Sequence, residues 1–412
     1  MKTLWIDCTR TVRSRLHTGI QRYVRATVRE AFAAADAGAG GMHVRAICFD
    51  GVRFLEVGAL EPHPLEAGRS LQGGHNRQVM GKRVDIAAED IVLLPDAGWY
   101  CDYQQELFRL HARGVRLIPV LHDALPASHP HYFREDVSVR FRSYWQDLCD
   151  MASAVVCVSR ESANALHGGA LAPFAGVGKL HAWVNHPGAD FLSASVLQDL
   201  RPADRPPGLA WAMQQRPTVC VVGTIEPRKN HRLILRASEM LWSGGVDFNL
   251  LLIGSVGWLC EDLVEELNRH EQRNQRLWSV HGATDVELAQ LMRASNFLLS
   301  ASSAEGFGLP VAEAAWLGVP VLLSDIPIHR EVAPPRHRFF GLNVPELANA
   351  IACTLSMWPG PADAGAGGGA TIAPVHQGGQ PVTWSESVGR LLRWIDQQEQ
   401  ECWSMDDSIE CA

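Results

Sequence analysis

Residues 296–325, NFLLSASSAEGFGLPVAEAAWLGVPVLLSD, contain one complete unit of the predicted fold. The apolar run at 296–302 is typical of a strand, and VPVLLS at 319–324 predicts the next one. Between them, Pro310 suits the first turn of a helix, where its missing N–H costs no hydrogen bond. Gly318 suits the position just after the helix, because glycine readily adopts left-handed backbone angles. The stretch therefore predicts a strand, a loop, a helix and a strand in succession.

The same alternation runs along the whole chain. Continuous apolar strands indicate sheets covered on both faces, and helical patterns such as 19–32 and 287–295 lie between them. The fold class is therefore α/β, with two tandem, doubly wound, Rossmann-like parallel-sheet domains facing across a cleft. Ligands of such sheets bind outside the carboxyl ends of the strands. The predicted strands are TLWIDC (3–8), HVRAICF (43–49), IVLLP (91–95), VRLIPVL (115–121), AVVCVS (154–159), KLHAWV (179–184), TVCVVG (218–223), FNLLLIG (248–254), LWSVHG (277–282), NFLLSAS (296–302) and VPVLLS (319–324).

Proline-rich and glycine-rich stretches predict the domain boundaries. Residues 199–217 hold four prolines, which favours an interdomain linker. The segment VTWSESVGRLL predicts a closing helix with Ser385 as its N-cap. The predicted parts are an N-terminal Rossmann-like domain at 1–198, the linker at 199–217, a C-terminal Rossmann-like domain at 218–358, a flexible insertion at 359–381 and, at 382–400, a helix that docks back on the N-terminal domain.

Composition excludes several classes of protein. A net charge of −8 argues against a nucleic-acid-binding protein. Ten cysteines without C-x-x-C spacing predict buried thiols in a reducing compartment rather than disulfides or a zinc site. The N-terminus lacks the apolar core of a signal peptide, and no apolar run is long enough to cross a membrane. We therefore expect a cytoplasmic protein.

The first thirty residues are locally basic. They carry Lys2, Arg10, Arg13, Arg15, Arg22, Arg25 and Arg29 against Asp7 and Glu30. Two interpretations stay open: a solvated helix face, or peripheral contact with an anionic acceptor or the inner face of a membrane.

Two carboxylates, Glu305 and Glu313, flank the glycine loop that follows the strand at 296–302. Gly306 and Gly308 let this loop turn and come close to a ligand. The free N–H groups at a helix start attract anions and hydroxyl oxygens. Carboxylates repel phosphate but accept strong hydrogen bonds from neutral hydroxyls. The loop therefore predicts a ligand with both a phosphate and sugar hydroxyls, that is, a nucleotide sugar.

A basic pair would supply the counter-charge for the phosphates. In VVGTIEPRKNHRLIL, Gly223 and Thr224 close a strand, and Arg228 and Lys229 are predicted to open the next helix. Two cations at a helix start oppose the helix dipole unless an anion binds there. Together with the glutamate loop of the same domain, the pair predicts a diphosphate site.

The combination of E-GFGLP-x-x-E with GTIEPRKNH resembles the retaining glycosyltransferases of family 4, which have the GT-B fold. LHDALPASHPHYF (121–133) is similar to the histidine loop of that family, and HTGIQRYVRATVREA (17–31) to its first glycine loop and helix. VCVSRESANAL (156–166), HPGADF (186–191) and VTWSESVGRLL (382–392) resemble its V-S-x-x-S, P-x-G-V-D and closing-helix segments. The resemblance spans most of the chain, and the two-glutamate motif is its specific part.

The resemblance implies roles for the second domain. The second glutamate of the motif holds the ribose hydroxyls in such enzymes, which implies this role for Glu313. Glu305 would face the donor sugar, while Arg228 and Lys229 would clamp the diphosphate and stabilise the leaving group. Many relatives carry an arginine at the position of Thr224, so the division of work within the basic pair stays open. The other donor-binding residues implied are Gly223, Gly306, Phe307, Gly308 and Leu309.

The resemblance also implies roles in the first domain. His122 would lie across the cleft, near a hydroxyl of the donor sugar, and Asp123 would either orient its ring or cap a turn. Gly19 would let the first loop approach the phosphates or the acceptor. Trp99 and Tyr100 either stack on an acceptor sugar or pack in the core.

The implied reaction is sugar transfer with retention, in which the departing phosphate accepts the proton of the acceptor hydroxyl. No D-x-D occurs in the chain, so we expect no metal, and no cofactor beyond the nucleotide-sugar co-substrate. GTIEPRKNH and T-G-I-Q-R-Y resemble bacterial O-antigen, capsule and exopolysaccharide transferases, which favours a mannose-type GDP-sugar and a glycan or lipid-linked glycan acceptor. The alternative is a non-catalytic protein that binds a nucleotide sugar or a partner on a GT-B scaffold.

Overall fold

The computed structural model describes residues 2–14, 16–38, 41–58, 60, 81–198, 206–358, 381–397 and 410–411. These residues divide into two compact units. Unit 1 takes the described residues up to Gly188 together with those from Val382 onward, and unit 2 takes those from Ala189 to Pro381.

Every run predicted as a strand forms one, and three further short strands are present. The strands are β1 (Thr3–Asp7), β2 (His43–Phe49), β3 (Phe54–Val57), β4 (Ile91–Leu94), β5 (Arg116–Leu121), β6 (Val155–Cys157), β7 (Ala182–Val184), β8 (Thr218–Val222), β9 (Asn249–Ile253), β10 (Leu277–Val280), β11 (Phe297–Ser300), β12 (Val321–Ser324), β13 (His337–Phe340) and β14 (Glu410–Cys411).

Helices connect most of these strands. They are α1 (Thr9–Arg13), α2 (Gly19–Asp36), α3 (Gln104–Ala112), α4 (Leu125–Ser128), α5 (Glu135–Met151), α6 (Arg160–His167), α7 (Ala194–Gln198), α8 (Leu209–Gln215), α9 (His231–Ser243), α10 (Glu261–Arg269), α11 (Asp285–Arg293), α12 (Leu309–Trp316), α13 (Pro327–Val332), α14 (Val344–Met357) and α15 (Trp384–Gln397). Short 3-10 turns lie at Gly98–Tyr100, Pro130–Tyr132, Val177–Lys179 and Pro227–Lys229.

The sheet of unit 2 has the strand order of a Rossmann fold. Its described strands run β10-β9-β8-β11-β12-β13 and are all parallel. Counted from β8, this is the order 3-2-1-4-5-6, which reverses between β8 and β11. A ligand of such a sheet binds at that reversal, outside the carboxyl ends of the strands.

The sheet of unit 1 is organised in the same way. Its described strands run β14-β7-β6-β5-β4-β1-β2-β3, and the order reverses between β1 and β4. All neighbouring pairs are parallel except β2 with β3. The prediction of two tandem Rossmann-like α/β sheets is confirmed.

Both faces of the unit 2 sheet are buried. Alternate residues of one strand enter different cores: Val219 and Val221 pack with α9 and α14, whereas Cys220 packs with α8, α11 and α12. This is the pattern expected of a parallel sheet covered by helices on both sides. Strand β13 was not predicted, because His337–Phe340 is short, begins with two polar residues and is half exposed at the sheet edge.

The stretch predicted as a linker differs in the structure. Residues 199–205 lie outside the described part of the chain, but α8 buries Leu209 and Ala212 in the core of unit 2. The division between the units falls at Gly188, before the proline-rich stretch. Because α8 is short and buries only two residues, its apolar pattern is too weak to predict a helix in this proline-rich stretch. Of the predicted insertion at 359–381, only Pro381 is described.

The closing helix α15 belongs to unit 1 and packs on α2. The rings of Trp384 and Tyr23 meet edge to face, with centroids 5.6 Å apart, and Trp384 is 1% exposed. The N-cap is Thr383, not Ser385 as predicted: the Thr383 hydroxyl accepts from Glu386 N, and the Glu386 carboxylate accepts from Thr383 N. The Thr-x-x-Glu pattern of a capping box was the overlooked signal.

The cysteines and the helices of the described residues can be compared with the predictions made from composition. Among the cysteines whose side chains are described, seven are buried and none is bonded to another. Within the described residues, every helix is too short or too polar to cross a bilayer.

Candidate functional site

Two loops of unit 2 meet where its strand order reverses. One follows β8 and runs through Gly223 to Lys229, and the other follows β11 and runs through Ala301 to Gly308. Because β8 and β11 are adjacent and parallel, both loops leave the same edge of the sheet. The sequence motifs of the second domain are therefore brought together by topology.

Asn230 fastens these two loops to each other. Its backbone is left-handed, with φ 54°, a conformation that asparagine tolerates better than most residues. Its side-chain amide donates to Ala301 O at 2.8 Å and to Ser303 Oγ at 2.7 Å. Ser303 N donates in turn to Arg228 O at 2.8 Å. Hydrogen bonds within the protein thus hold the basic loop against the glutamate loop.

Glu305 lies between the two predicted cations. Arg228 Nη1 donates to Glu305 Oε2 at 2.5 Å, and Lys229 Nζ donates to Oε1. Arg228 Nη2 also lies 2.6 Å from Glu226 Oε1. The carboxylates of Glu305 and Glu226 are 7% and 2% exposed, so this cluster is largely withdrawn from water.

The prediction that the basic pair opens a helix is wrong. Arg228 and Lys229 lie in the 3-10 turn Pro227–Lys229, and α9 begins only at His231. The left-handed Asn230 separates the turn from the helix. The carboxylate of Glu305 lies beside both cations and that of Glu226 beside Arg228, so the positive charges of the pair are compensated within the protein.

Electrostatics keep Glu305 ionised. Burial by itself raises the pKa of the Glu305 carboxyl, but the charges of Arg228 and Lys229 outweigh burial. A hydrogen bond from Ser302 Oγ at 2.6 Å acts in the same direction. The pKa of Glu305 is therefore held below its usual range.

Glu313 lies inside α12, as predicted, and is 4% exposed. The helix begins at Leu309 with Pro310 in its first turn, and Gly308 precedes it with φ 87°. Gly318 follows the helix with φ 72°. Phe307 is 9% exposed, and Gly306 beside it is half-buried.

The strand ends of β8, β9 and β10 are packed tightly together. A Cβ atom on Gly254 would lie 1.9 Å from Gly223 O, so these backbones approach as only glycine allows. A Cβ atom on Gly223 would contact Lys229 Cε at 3.5 Å. His281 Nδ1 donates to Gly254 O at 2.6 Å. Thr224 is half-buried beside this group.

In unit 1, His122 follows β5 and is half-buried. Its Nε2 donates to Pro95 O at 2.7 Å, and its carbonyl oxygen accepts from Ser162 Oγ at 3.0 Å. Burial lowers the pKa of His122 to about 4. The Tyr23 ring packs edge to face on the imidazole at 5.0 Å, which brings α2, with Gly19 exposed at its start, next to His122.

The other unit 1 residues make the following contacts. Asp123 Oδ1 accepts from Leu125 N at 2.9 Å, a hydrogen bond that caps a turn. Trp99 packs on Phe141 with centroids 5.2 Å apart, as a core residue does. Tyr100 is 38% exposed, with the Arg10 guanidinium 4.6 Å above its ring.

A buried acidic pair in unit 1 was not predicted. Asp7 ends β1 and Asp96 follows β4, which are neighbouring strands, and both are almost fully buried. Asp7 Oδ2 accepts from Tyr103 Oη at 3.0 Å. Burial first, and the charge of Asp96 second, raise the pKa of Asp7 to about 7. An acidic residue at or near the carboxyl end of a buried strand was the available signal.

The basic N-terminal segment is not one solvated face. Arg25 is buried at 9% exposed and Arg22 is half-buried, whereas the side chain of Arg29 is 58% exposed. Arg25 is therefore part of the interior of unit 1.

The two Rossmann-type parallel sheets have the GT-B fold, and a charged loop pair lies at the strand-order reversal of unit 2. Solved structures with this architecture include a sucrose-phosphate synthase from Thermosynechococcus elongatus, at a TM-score of 0.61, 17% identity and coverage of 97% of this chain and 99% of that one. HepE of Anabaena, solved in complex with UDP and glucose, gives a TM-score of 0.56 at 16% identity, with coverage of 97% and 98%.

Residues 212–359, which fall within the bounds of unit 2, match the family described as glycosyl transferases group 1. Over 408 residues the chain is 29% identical to the serotype-specific mannosyltransferase WbdA of Escherichia coli. The aligned region covers 95% of this chain and 46% of WbdA. The chain thus spans about half the length of that curated relative.

Proposed function

We propose that this chain is a glycosyltransferase that moves a mannose-type sugar from a nucleotide-diphosphate sugar to a glycan or lipid-linked glycan acceptor during surface polysaccharide synthesis. The observation that carries the proposal is the contact of Glu305 with Arg228 and Lys229 at the strand-order reversal of a group 1 domain. The likeness to a mannosyltransferase over nearly the whole chain favours the sugar.

The loop pair offers both charges that a nucleotide sugar needs. Arg228 and Lys229 are the cations for the diphosphate, and Glu305 positions them. When a diphosphate binds, the two cations are shared between it and Glu305, whose oxygens then become available to sugar hydroxyls. Preorganised cations stabilise the negative charge that grows on the departing phosphate.

Glu313 accepts the ribose hydroxyls in this proposal. Its carboxylate is buried in α12, so a bidentate contact with a ribose would form in a water-poor environment, where hydrogen bonds to a charge are strong. His122 is neutral because burial lowers its pKa, so it contributes as a hydrogen-bonding group rather than as a charge.

The finer features of the reaction are part of the same proposal. We propose retention of configuration, with the departing phosphate accepting the acceptor proton, and no requirement for a metal ion. GDP is the favoured nucleotide. The site of action is the cytoplasm, with peripheral membrane association as the way to reach a lipid-linked acceptor.

The test is release of nucleoside diphosphate from a panel of GDP-, UDP- and dTDP-sugars in the presence of a mannose-containing glycan acceptor, with and without EDTA. Arg228→Met and Lys229→Met are each expected to lower kcat about 100-fold or more, the usual effect of losing one transition-state donor. Arg232→Met, which changes an exposed arginine on α9, is the matched control and should behave as wild type.

Three outcomes would count against parts of this proposal. Wild type that releases no diphosphate from any donor contradicts the activity. Equal rates for Arg228→Met and Arg232→Met contradict the assigned site. Loss of activity in EDTA, restored by a divalent cation, contradicts metal independence. NMR of the product anomer tests retention, and an inverted anomer contradicts it.

A further inference from the structure

A buried histidine lies behind the carboxylate cluster of unit 2. His329 belongs to α13 and is 0% exposed. Its Nδ1 lies 2.8 Å from Ser324 O and 3.0 Å from Ser324 Oγ. Its Nε2 lies 3.2 Å from Ser300 Oγ. The ring therefore touches the carboxyl ends of both β11 and β12, which are adjacent parallel strands.

The chemistry of the end groups fixes the direction of each hydrogen bond. A carbonyl oxygen only accepts, so His329 Nδ1 must carry the proton that it shares between Ser324 O and Ser324 Oγ. The Ser324 hydroxyl then donates to Ser302 O, 2.5 Å away. The Ser302 hydroxyl donates to Glu305 Oε1 at 2.6 Å, because a carboxylate only accepts.

These bonds connect His329 to Glu305 in three steps. His329 donates to the Ser324 hydroxyl, that hydroxyl donates to the backbone carbonyl of Ser302, and the side-chain hydroxyl of Ser302 donates to Glu305. His329 is neutral, because burial lowers its pKa. The charge of Lys229 also lowers the pKa of His329, whereas the charge of Glu305 raises it. A neutral ring with its proton on Nδ1 accepts from Ser300 Oγ at Nε2, so both ring nitrogens are satisfied.

Glu305 needs such support. Its Oε1 receives both Lys229 and Ser302, and its Oε2 receives Arg228, so rotation of the carboxylate would break contacts with both cations. Ser302 fixes the rotation, but Ser302 itself lies in a loop just after β11. The bond from Ser324 to the carbonyl of Ser302 ties that loop to the end of β12.

We infer that His329 is a positioning residue, which sets the orientation of the Glu305 carboxylate through Ser324 and Ser302 and thereby the geometry of the donor site. The effect on donor geometry rests on the proposed function of Glu305. The link between His329 and Glu305 does not, because it consists of contacts within the protein.

The kinetic test compares His329→Leu, His329→Asn and Ser324→Ala. The side-chain amide of asparagine can place an N–H where Nδ1 carries one, whereas leucine cannot. We expect His329→Leu and Ser324→Ala to lower kcat/KM for the donor about tenfold or more, and His329→Asn to recover most of that loss. Ser295→Ala is the matched control, since Ser295 is a buried serine that donates to Leu291 O just before β11.

A folded His329→Leu variant with donor kinetics within about twofold of wild type overturns the inference. So does an equal loss in His329→Asn and His329→Leu, because that result would indicate packing rather than the Nδ1 hydrogen bond.

A second measurement does not depend on activity. Urea midpoints of Ser302→Ala, His329→Leu and the double variant form a cycle, and members of one hydrogen-bond chain are expected to be non-additive. We expect the double variant to lose clearly less than the sum of the two single losses. Full additivity overturns the inference, whereas an inactive wild type overturns only the proposed function. If His329→Leu does not fold, Ser324→Ala replaces it in the cycle.

Discussion

Arg228 donates from Nη1 to Oε2 of Glu305 over 2.5 Å, and 77 positions of sequence separate the two residues. The pair exists because β8 and β11 are neighbours in the sheet and their loops leave the same edge. A local sequence pattern at either residue shows only one half of this contact. Its consequences can be tested without knowing the substrate.

Glu305→Gln removes the negative charge but keeps the shape of the side chain. Breaking a buried pair by removing one partner leaves the other charge uncompensated and typically costs ~3–5 kcal/mol. We expect a loss near the lower end of that range, because Glu226 remains beside Arg228. Urea denaturation at pH 7 measures it, with exposed Glu271→Gln as the control. A loss no larger than the control would contradict the buried ion pair.

The same carboxylate predicts the acid limb of stability. The folded pKa of Glu305 is depressed, so its contribution is present above the pKa of an unfolded glutamate and is lost as the pH falls below that range. Wild type should therefore lose stability on acidification more steeply than Glu305→Gln. Parallel stability–pH curves below pH 5 would show that Glu305 is not responsible.

The Asp7 carboxyl in unit 1 predicts the opposite dependence. Its folded pKa is raised to about 7, so its contribution is full below the unfolded pKa of ~3.9 and is lost as the pH rises through 7. One such group gives a slope of up to about 1.4 kcal/mol per pH unit. Asp7→Asn should reduce the decline between pH 4 and 7, and Asp102→Asn, at an exposed position, should not. An unchanged slope in Asp7→Asn would exclude Asp7 as its source.

His122 predicts the shape of the pH–rate profile. With a pKa of about 4, the His122 ring is neutral across pH 5–8. His122 should therefore contribute no inflection near pH 6.5 to the pH–rate profile. Glutamine can keep an N–H near Pro95 O, whereas phenylalanine cannot. We expect His122→Gln to retain more kcat than His122→Phe. An inflection that is present in wild type and absent from His122→Gln would contradict a neutral role.

Asn230 can be dissected with two substitutions. Glycine accepts φ 54° but lacks the two hydrogen bonds to the 301–303 loop, so Asn230→Gly isolates their contribution. Alanine loses the same bonds and adds the left-handed penalty of roughly 1–2 kcal/mol. The free energy of unfolding should therefore fall in the order wild type, Asn230→Gly, Asn230→Ala. Equal stability of the two variants would mean that the backbone conformation relaxes.

The sequence predicted the architecture well because apolar strands, helix caps and glycines are local signals. Pro310 and Gly318 bracket α12 as expected, and both sheets follow from the strand–helix alternation. The misses have physical causes. The capping box at Thr383 was overlooked for Ser385, and α8 buries too few residues to stand out in a proline-rich stretch.

The sequence singled out the charged residues that meet at the strand-order reversal of unit 2, but not the contacts between them. The motif identified Glu305, Arg228 and Lys229, yet assigned Glu305 to sugar hydroxyls alone, because the pairing across β8 and β11 has no local signature. The supporting residues Asn230, Ser302, Ser324 and His329 were missed for the same reason. Their roles depend on bonds between strand ends that only the folded sheet brings together.

The most direct test of the account measures nucleotide-sugar binding to wild type and to Glu313→Gln. Binding is detected as a thermal shift without added metal. A donor at about 100 times its Kd should stabilise wild type by about 2.7 kcal/mol. Glu346→Gln, which changes an exposed glutamate in the first turn of α14, should respond as wild type. The account predicts that one donor stabilises wild type and Glu346→Gln, but not a folded Glu313→Gln. A folded wild type that none of the GDP-, UDP- and dTDP-sugars stabilises, or a Glu313→Gln response equal to that of wild type, would contradict it.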